Sequence, residues 1–141
     1  ALKLNEHLIN SNTITIDIEG NDFDVMARTA SLVQVLDNLV HNACVWLAGW
    51  RGSRCITITL DDEKRTVSIA DTGPGIPSHM REDIFKPFVT LRNGGRGLGL
   101  YITRELLHAM QASINLDEEE RGQGARFILH FPALNNERAA K

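Results

Sequence analysis

The feature that most limits the fold of this chain is alternation. Ile14, Ile16 and Ile18 are spaced by Thr15 and Asp17, and Ile56, Ile58 and Leu60 by threonines. Val67 and Ile69 flank Ser68, and Phe127, Leu129 and Phe131 repeat the same step. Successive side chains of a strand point to opposite faces, so a period of two marks strands with one buried side. A further strand is expected over residues 113–116. Gly20-Asn21-Asp22 is a turn signal that leads into a short strand over Phe23 to Met26. Asp61-Asp62-Glu63-Lys64 joins its two neighbouring strands as a hairpin. Strands buried on one side imply an antiparallel or mixed sheet with a single covered face.

Two helices can supply that cover. Ser31-Leu32-Val33-Gln34 has the form of a capping box and predicts a helix from there to about Ala48. Its apolar stripe is Leu32, Leu36, Leu39, Ala43 and Leu47, and Gly49 and Gly52 mark the exit. Asn38 and Asn42 lie one turn apart on a flank of that stripe. A second helix starts near Leu98, with Leu98, Ile102, Leu106 and Ala109 on one face. Shorter helical pieces are expected around Glu6 to Ile9 and from Ser78 to Phe85. The resulting fold class is an α/β two-layer sandwich (α+β), a mixed, largely antiparallel sheet covered on one face by helices. No internal repeat or low-complexity segment interrupts it.

The 141 residues form one domain large enough to bury a proper core. A formal net charge of -3 gives no reason to expect nucleic acid or an anionic membrane as partner. Cys44 and Cys55 match no metal spacing and read as buried, reduced thiols of a cytosolic protein. No apolar run approaches a membrane span, and no signal peptide opens the chain. A first residue other than Met reads as the cut end of something longer.

Two glycine clusters carry the chemistry. Asp71-Thr72-Gly73-Pro74-Gly75-Ile76 ends a strand, and Gly94-Gly95-Arg96-Gly97-Leu98-Gly99-Leu100 runs into the second helix. Glycines let a backbone approach a ligand closely, and a helix start offers free N–H groups to phosphate. Neither cluster ends in Gly-Lys-Ser/Thr, which excludes a Walker loop. The dinucleotide pattern fails as well, because its third glycine falls on Leu100 or Ser78.

Four blocks stand in order: Asn38-Leu39-Val40-His41-Asn42-Ala43, the first glycine cluster, Ile84-Phe85-Lys86-Pro87-Phe88, and Gly95 to Leu100. Together they resemble the N, G1, F and G2 boxes of the catalytic, ATP-binding domain of sensor histidine kinases. Gly122-Gln123-Gly124-Ala125-Arg126-Phe127 is similar to that family's last hairpin. The resemblance covers roughly residues 30–132 and implies the Bergerat fold, which agrees with the layers already derived. It implies that residues 1–12 lead in from an upstream dimerisation and phosphoacceptor region. Residues 13–132 then form the ATP-binding domain, and 133–141 are a disordered tail.

The resemblance also assigns roles. Asn42 supplies an amide oxygen to magnesium, a hard cation that bridges protein to phosphate oxygens, and Asn38 supports metal and phosphates from one turn earlier. Read alone, the two asparagines fit a solvated helix face better. Asp71 accepts a hydrogen bond from the adenine amino group, a charge-assisted contact that discriminates between bases; otherwise it is an Asp that starts a turn. Gly73 and Gly75 bend the chain around the base, and Ile76 packs on it. Gly95, Gly97, Leu98 and Gly99 bring backbone N–H groups to the phosphates. Arg92 and Arg96 neutralise γ-phosphate charge or are simply solvated. Phe85 and Phe88 read as core anchors at the ends of a lid.

Four departures stand out: Val45 replaces a common Lys or Arg, the lid from Phe88 to Gly95 is short, His41, read as surface-facing, sits between the asparagines, and the family's usual long helix before the first strand is hardly visible in residues 1–12. The expected activity is ATP-dependent phosphorylation of a His on a separate dimerisation domain, with a response regulator downstream. None of His7, His41, His79, His108 and His130 has the acceptor context. Such a domain faces the cytoplasm and makes no direct membrane contact. A related ATPase or serine kinase usually places Glu, a general base, where Asn38 stands, and an amide cannot take a proton. A degenerate regulatory module that binds nucleotide weakly is the non-enzymatic alternative.

Overall fold

The computed structural model describes residues 2–89, 98–117 and 124–134. Five strands form one sheet: β1 (Thr15–Gly20), β2 (Cys55–Asp61), β3 (Thr66–Asp71), β4 (Ser113–Leu116) and β5 (Arg126–His130). Their spatial order is β1-β2-β3-β5-β4. β1 and β2 run parallel, and the other three pairings are antiparallel, so the sheet is mixed. The helices are α1 (Glu6–Ser11), α2 (Thr29–Ala48) and α3 (Gly99–Ala109).

The register explains the single covered face. Ile16 pairs with Ile56, Ile58 with Ile69, Leu60 with Val67, Val67 with Leu129 and Ile69 with Phe127. Leu129 and Phe127 continue to Ile114 and Leu116. These rows meet Val35, Leu39, Val40, Ala43 and Leu47 of α2 and Leu107 of α3 in one core. Each fully buried Leu or Ile there contributes roughly 1.5–3 kcal/mol. The opposite face carries Thr57, Thr59, Arg126 and His130. Asp71 belongs to the inner row, because it pairs with Ile56 two residues beyond Ile69. The period of two therefore puts a carboxylate on the apolar side of the sheet.

Several expectations are corrected. α2 starts at Thr29, because Leu32 N–H already donates to Arg28 O at 3.0 Å and no side chain caps the end. Phe23 to Met26 form no strand. Arg65 instead holds this segment, with its Nη2 donating to Asp24 O at 2.8 Å and its guanidinium over the Phe23 ring. After Pro77 only Ser78–Met80 make a helical turn, of the tighter 3₁₀ kind, and the chain then turns through to Phe88. The buried face of α3 is Leu100, Thr103 and Leu107, not the expected stripe; Ile102 and Leu106 flank it and Ala109 is exposed. A polar member of a buried face is invisible to an apolar count. Phe85 is buried edge-on against Phe127, as expected of an anchor. Phe88, 77% exposed at a φ of 71°, is not part of the core. Cys44 is buried, and that burial pushes its thiol up to about 11. Cys55 is only half-buried, with its thiol toward Asp17. Most of the expected tail, from residue 135, lies outside the described residues.

Candidate functional site

At the end of β3 the chain leaves the sheet under close control. Thr72 N–H donates to Cys55 O at 3.1 Å, and its hydroxyl accepts from Cys55 N–H at 2.9 Å while donating to Ser53 O. These bonds fix the direction in which the first glycine cluster departs. Gly73 N–H then turns back onto Asp71 Oδ1 at 2.9 Å.

Asp71 is 7% exposed. Burial pushes its carboxyl up to about 6, and the backbone N–H groups of Gly73 and Ala125 pull it partly back down. A buried carboxylate is a strong acceptor for a ligand that brings an N–H group.

The walls around Asp71 are backbone. A Cβ on Gly73 would sit 3.0 Å from Asp71 Oδ1 and 3.3 Å from Leu47 Cδ2. Gly124 (φ 102°) is tighter, since a Cβ there would lie 1.8 Å from Asp71 O. Asp71 N–H donates to Ala125 O at 2.9 Å, which draws the β5 side of the site against the β3 exit. Gly124 and Ala125 were not among the expected site residues, although the hairpin block that contains them was the signal. Ile76 is buried within the core cluster.

A second grouping sits on the helices. Asn38 and Asn42 are half-buried on α2, and Asn38 Nδ2 donates to Thr103 Oγ1 on α3 at 3.3 Å. Thr103 is fully buried and was likewise missed. Leu98 stands at the N-cap of α3, and Ile102 N–H donates to Leu98 O at 2.8 Å. Among the described residues a Cβ on Gly99 would meet nothing within 4 Å, so their packing gives no reason for glycine at this helix start. α2 joins the groupings: Leu47, which touches the position of Gly73, lies five residues beyond Asn42, about 7.5 Å along the axis. Arg92, Gly95, Arg96 and Gly97, and the lid they belong to, lie outside the described residues. Val45 is half-buried. His41 is not surface-facing: it is half-buried and its Nδ1 lies 3.3 Å from Asn5 Oδ1.

A buried carboxylate at a strand end, glycine walls and a helix start beside paired asparagines are also the parts of a known family. Residues 27–135 match the family described as histidine kinase-, DNA gyrase B-, and HSP90-like ATPase. The chain belongs to that family. The nucleotide-free catalytic domain of the histidine kinase ThkA superposes with a TM-score of 0.76 at 34% identity, covering 93% of this chain and 88% of that one. The sensor protein RstB of Escherichia coli (strain K12) is 35% identical over an alignment of 144 positions, gaps included, that covers 89% of this chain and 32% of RstB. ThkA in complex with the response regulator protein TrrA aligns at a TM-score of 0.74 and 31% identity, over 97% of this chain and 39% of that one. The chain spans a third or less of the length of the curated relatives it matches. The resemblance to the histidine-kinase catalytic domain and the mixed two-layer fold are thus borne out, and ATP is the family's nucleotide.

Proposed function

We propose that this domain holds Mg-ATP for γ-phosphoryl transfer to a His on a separate dimerisation domain, upstream of residues 1–12, with a response regulator as the next acceptor. The observation that carries the reading is the buried Asp71 carboxylate, 7% exposed and enclosed by glycine backbone. Its acceptor oxygens suit the exocyclic amino group of adenine, with Gly73, Gly75 and Ile76 forming the surrounding wall.

The donor set fits magnesium. Among the described residues no cluster of three or more His, Cys, Asp or Glu exists to hold a metal by itself. A cation that keeps waters and binds phosphate oxygens needs little more than an amide oxygen, which Asn42 supplies. Asn38, with its amide nitrogen given to Thr103, offers its oxygen beside it. When bound, the metal neutralises the charge of the transferring phosphoryl group. The start of α3 at Leu98 and Gly99 supplies N–H groups to the phosphates, with Gly95, Gly97, Arg92 and Arg96 from the preceding segment. The domain works on the cytoplasmic side, where ATP is, and has no part in nucleic-acid or direct membrane binding.

Calorimetric titration of Mg-ATP and ADP into the wild type, Asn42→Ala and Asp71→Ala tests this. Metal-dependent binding weakened in both variants supports it, and phosphotransfer to a supplied dimerisation domain is the next step. A folded wild type that binds neither nucleotide would sink the reading and favour the regulatory module, which Val45 also favours.

A further inference from the structure

Asn5 is 3% exposed, although it belongs to the segment ahead of the first strand. It ends a 3₁₀ turn (Lys3–Asn5) and opens α1, and its side chain reaches across to α2. Nδ2 donates to Asp37 Oδ1 at 2.8 Å. Oδ1 faces His41 Nδ1 at 3.3 Å, and since an amide oxygen only accepts, His41 carries its proton on Nδ1. One buried amide thus takes its donor and its acceptor from two residues four apart on one helix face.

Those two residues interleave with Asn38 and Asn42. Each asparagine follows its neighbour by one position, or about 100° around the helix. The clamp on Asp37 and His41 therefore fixes the rotation of the turns that carry both asparagines. On the other flank Asn38 is tied to Thr103 of α3. α2 is thus held between a buried amide of the N-terminal segment and a buried hydroxyl of α3.

We propose that Asn5 is a positioning residue for the metal and phosphate half of the site: it couples the segment before β1 to the orientation of Asn38 and Asn42. This rests on the nucleotide reading above. The Asn5 amide acts through α2. A shift of the N-terminal segment therefore reaches the metal site without passing through the adenine pocket at Asp71.

The test measures the dissociation constant of ATP with magnesium and with EDTA in the wild type, Asn5→Ala, Asn5→Asp, which loses the donor and sets two carboxylates face to face, and the exchanged pair Asn5→Asp/Asp37→Asn. The exchanged pair rebuilds both bonds, because the new amide donates to the new carboxylate, whose second oxygen accepts from His41. The expected result is a magnesium-dependent gain reduced roughly tenfold in the single variants, unchanged EDTA affinity, and recovery in the pair. The side-chain amide resonances of Asn38 and Asn42 in nucleotide-free protein are expected to move in the single variants and return in the pair. A magnesium gain that Asn5→Ala leaves intact, or a loss shared equally by both conditions, overturns the positioning role alone. A wild type with no magnesium gain sinks the nucleotide reading, and this role with it.

Discussion

Replacing Asp71 by Asn is expected to stabilise the nucleotide-free domain at neutral pH and to weaken ATP binding. The carboxyl stands at about 6 in the folded chain against an ordinary 3.8, a rise of about two units, and burial is its main cause. At 1.36 kcal/mol per unit the ionised carboxylate opposes folding by up to about 3 kcal/mol. The direction follows from a raised acid. Its contribution to stability is fully present below pH 3.8, where both states are protonated, and is lost as pH rises through about 6. An amide of the same shape does not titrate.

Urea melts of wild type and Asp71→Asn between pH 4 and pH 8 isolate this swing, because every other titration cancels in the difference. The variant is expected to gain up to about 3 kcal/mol relative to wild type across that range, on the order of 10 °C in melting temperature. At pH 7.5 its ATP affinity is expected to fall, because the charge-assisted acceptor is gone. A stability difference that stays flat with pH would refute the buried-carboxylate argument, whatever its offset.

Wild-type ATP affinity itself is expected to drop by roughly tenfold per pH unit below about 6, as Asp71 takes up its proton, and calorimetry at three pH values reads this directly. Gly124→Ala forces a Cβ against Asp71 O at a positive φ, so a loss of more than about 2 kcal/mol is expected in a urea melt. Phe85→Ala removes a buried ring and is expected to cost about 3 kcal/mol, whereas Phe88→Ala is expected to stay within about 0.5 kcal/mol. Equal losses at the two phenylalanines would contradict their observed burial.

The sheet was legible because its strands alternate cleanly and its hairpin turn has the right chemistry. Ile56 to Leu60 and Val67 to Ile69 each announce which side is buried. What the alternation also carried was the place of Asp71, two residues beyond Ile69 on the same face. The errors came where tertiary contacts outweigh local pattern. Phe23 to Met26 look like a strand, yet one arginine, Arg65, holds them in an irregular path. The Ser31 box looks like a helix start, yet backbone bonds from Arg28 begin the helix earlier. Thr103 was overlooked because a buried threonine is recognisable only by its partner, Asn38, which lies 65 positions away. His41 was misread for the same reason, since Asn5 is 36 positions away.

The two halves of the site rest on different physics, and this decides how each can vary. The Asp71 half is built from strand register and backbone close approach, so Gly73, Gly75 and Gly124 leave it little freedom. The asparagine half depends on how one helix sits between Asn5 and Thr103 through three side-chain bonds. Bonds of this kind contribute about 1 kcal/mol each, which is small enough to be remade in a different geometry. On the proposed reading, base recognition is thereby fixed by the fold, while metal and phosphate alignment is left to contacts that a neighbouring segment can bias.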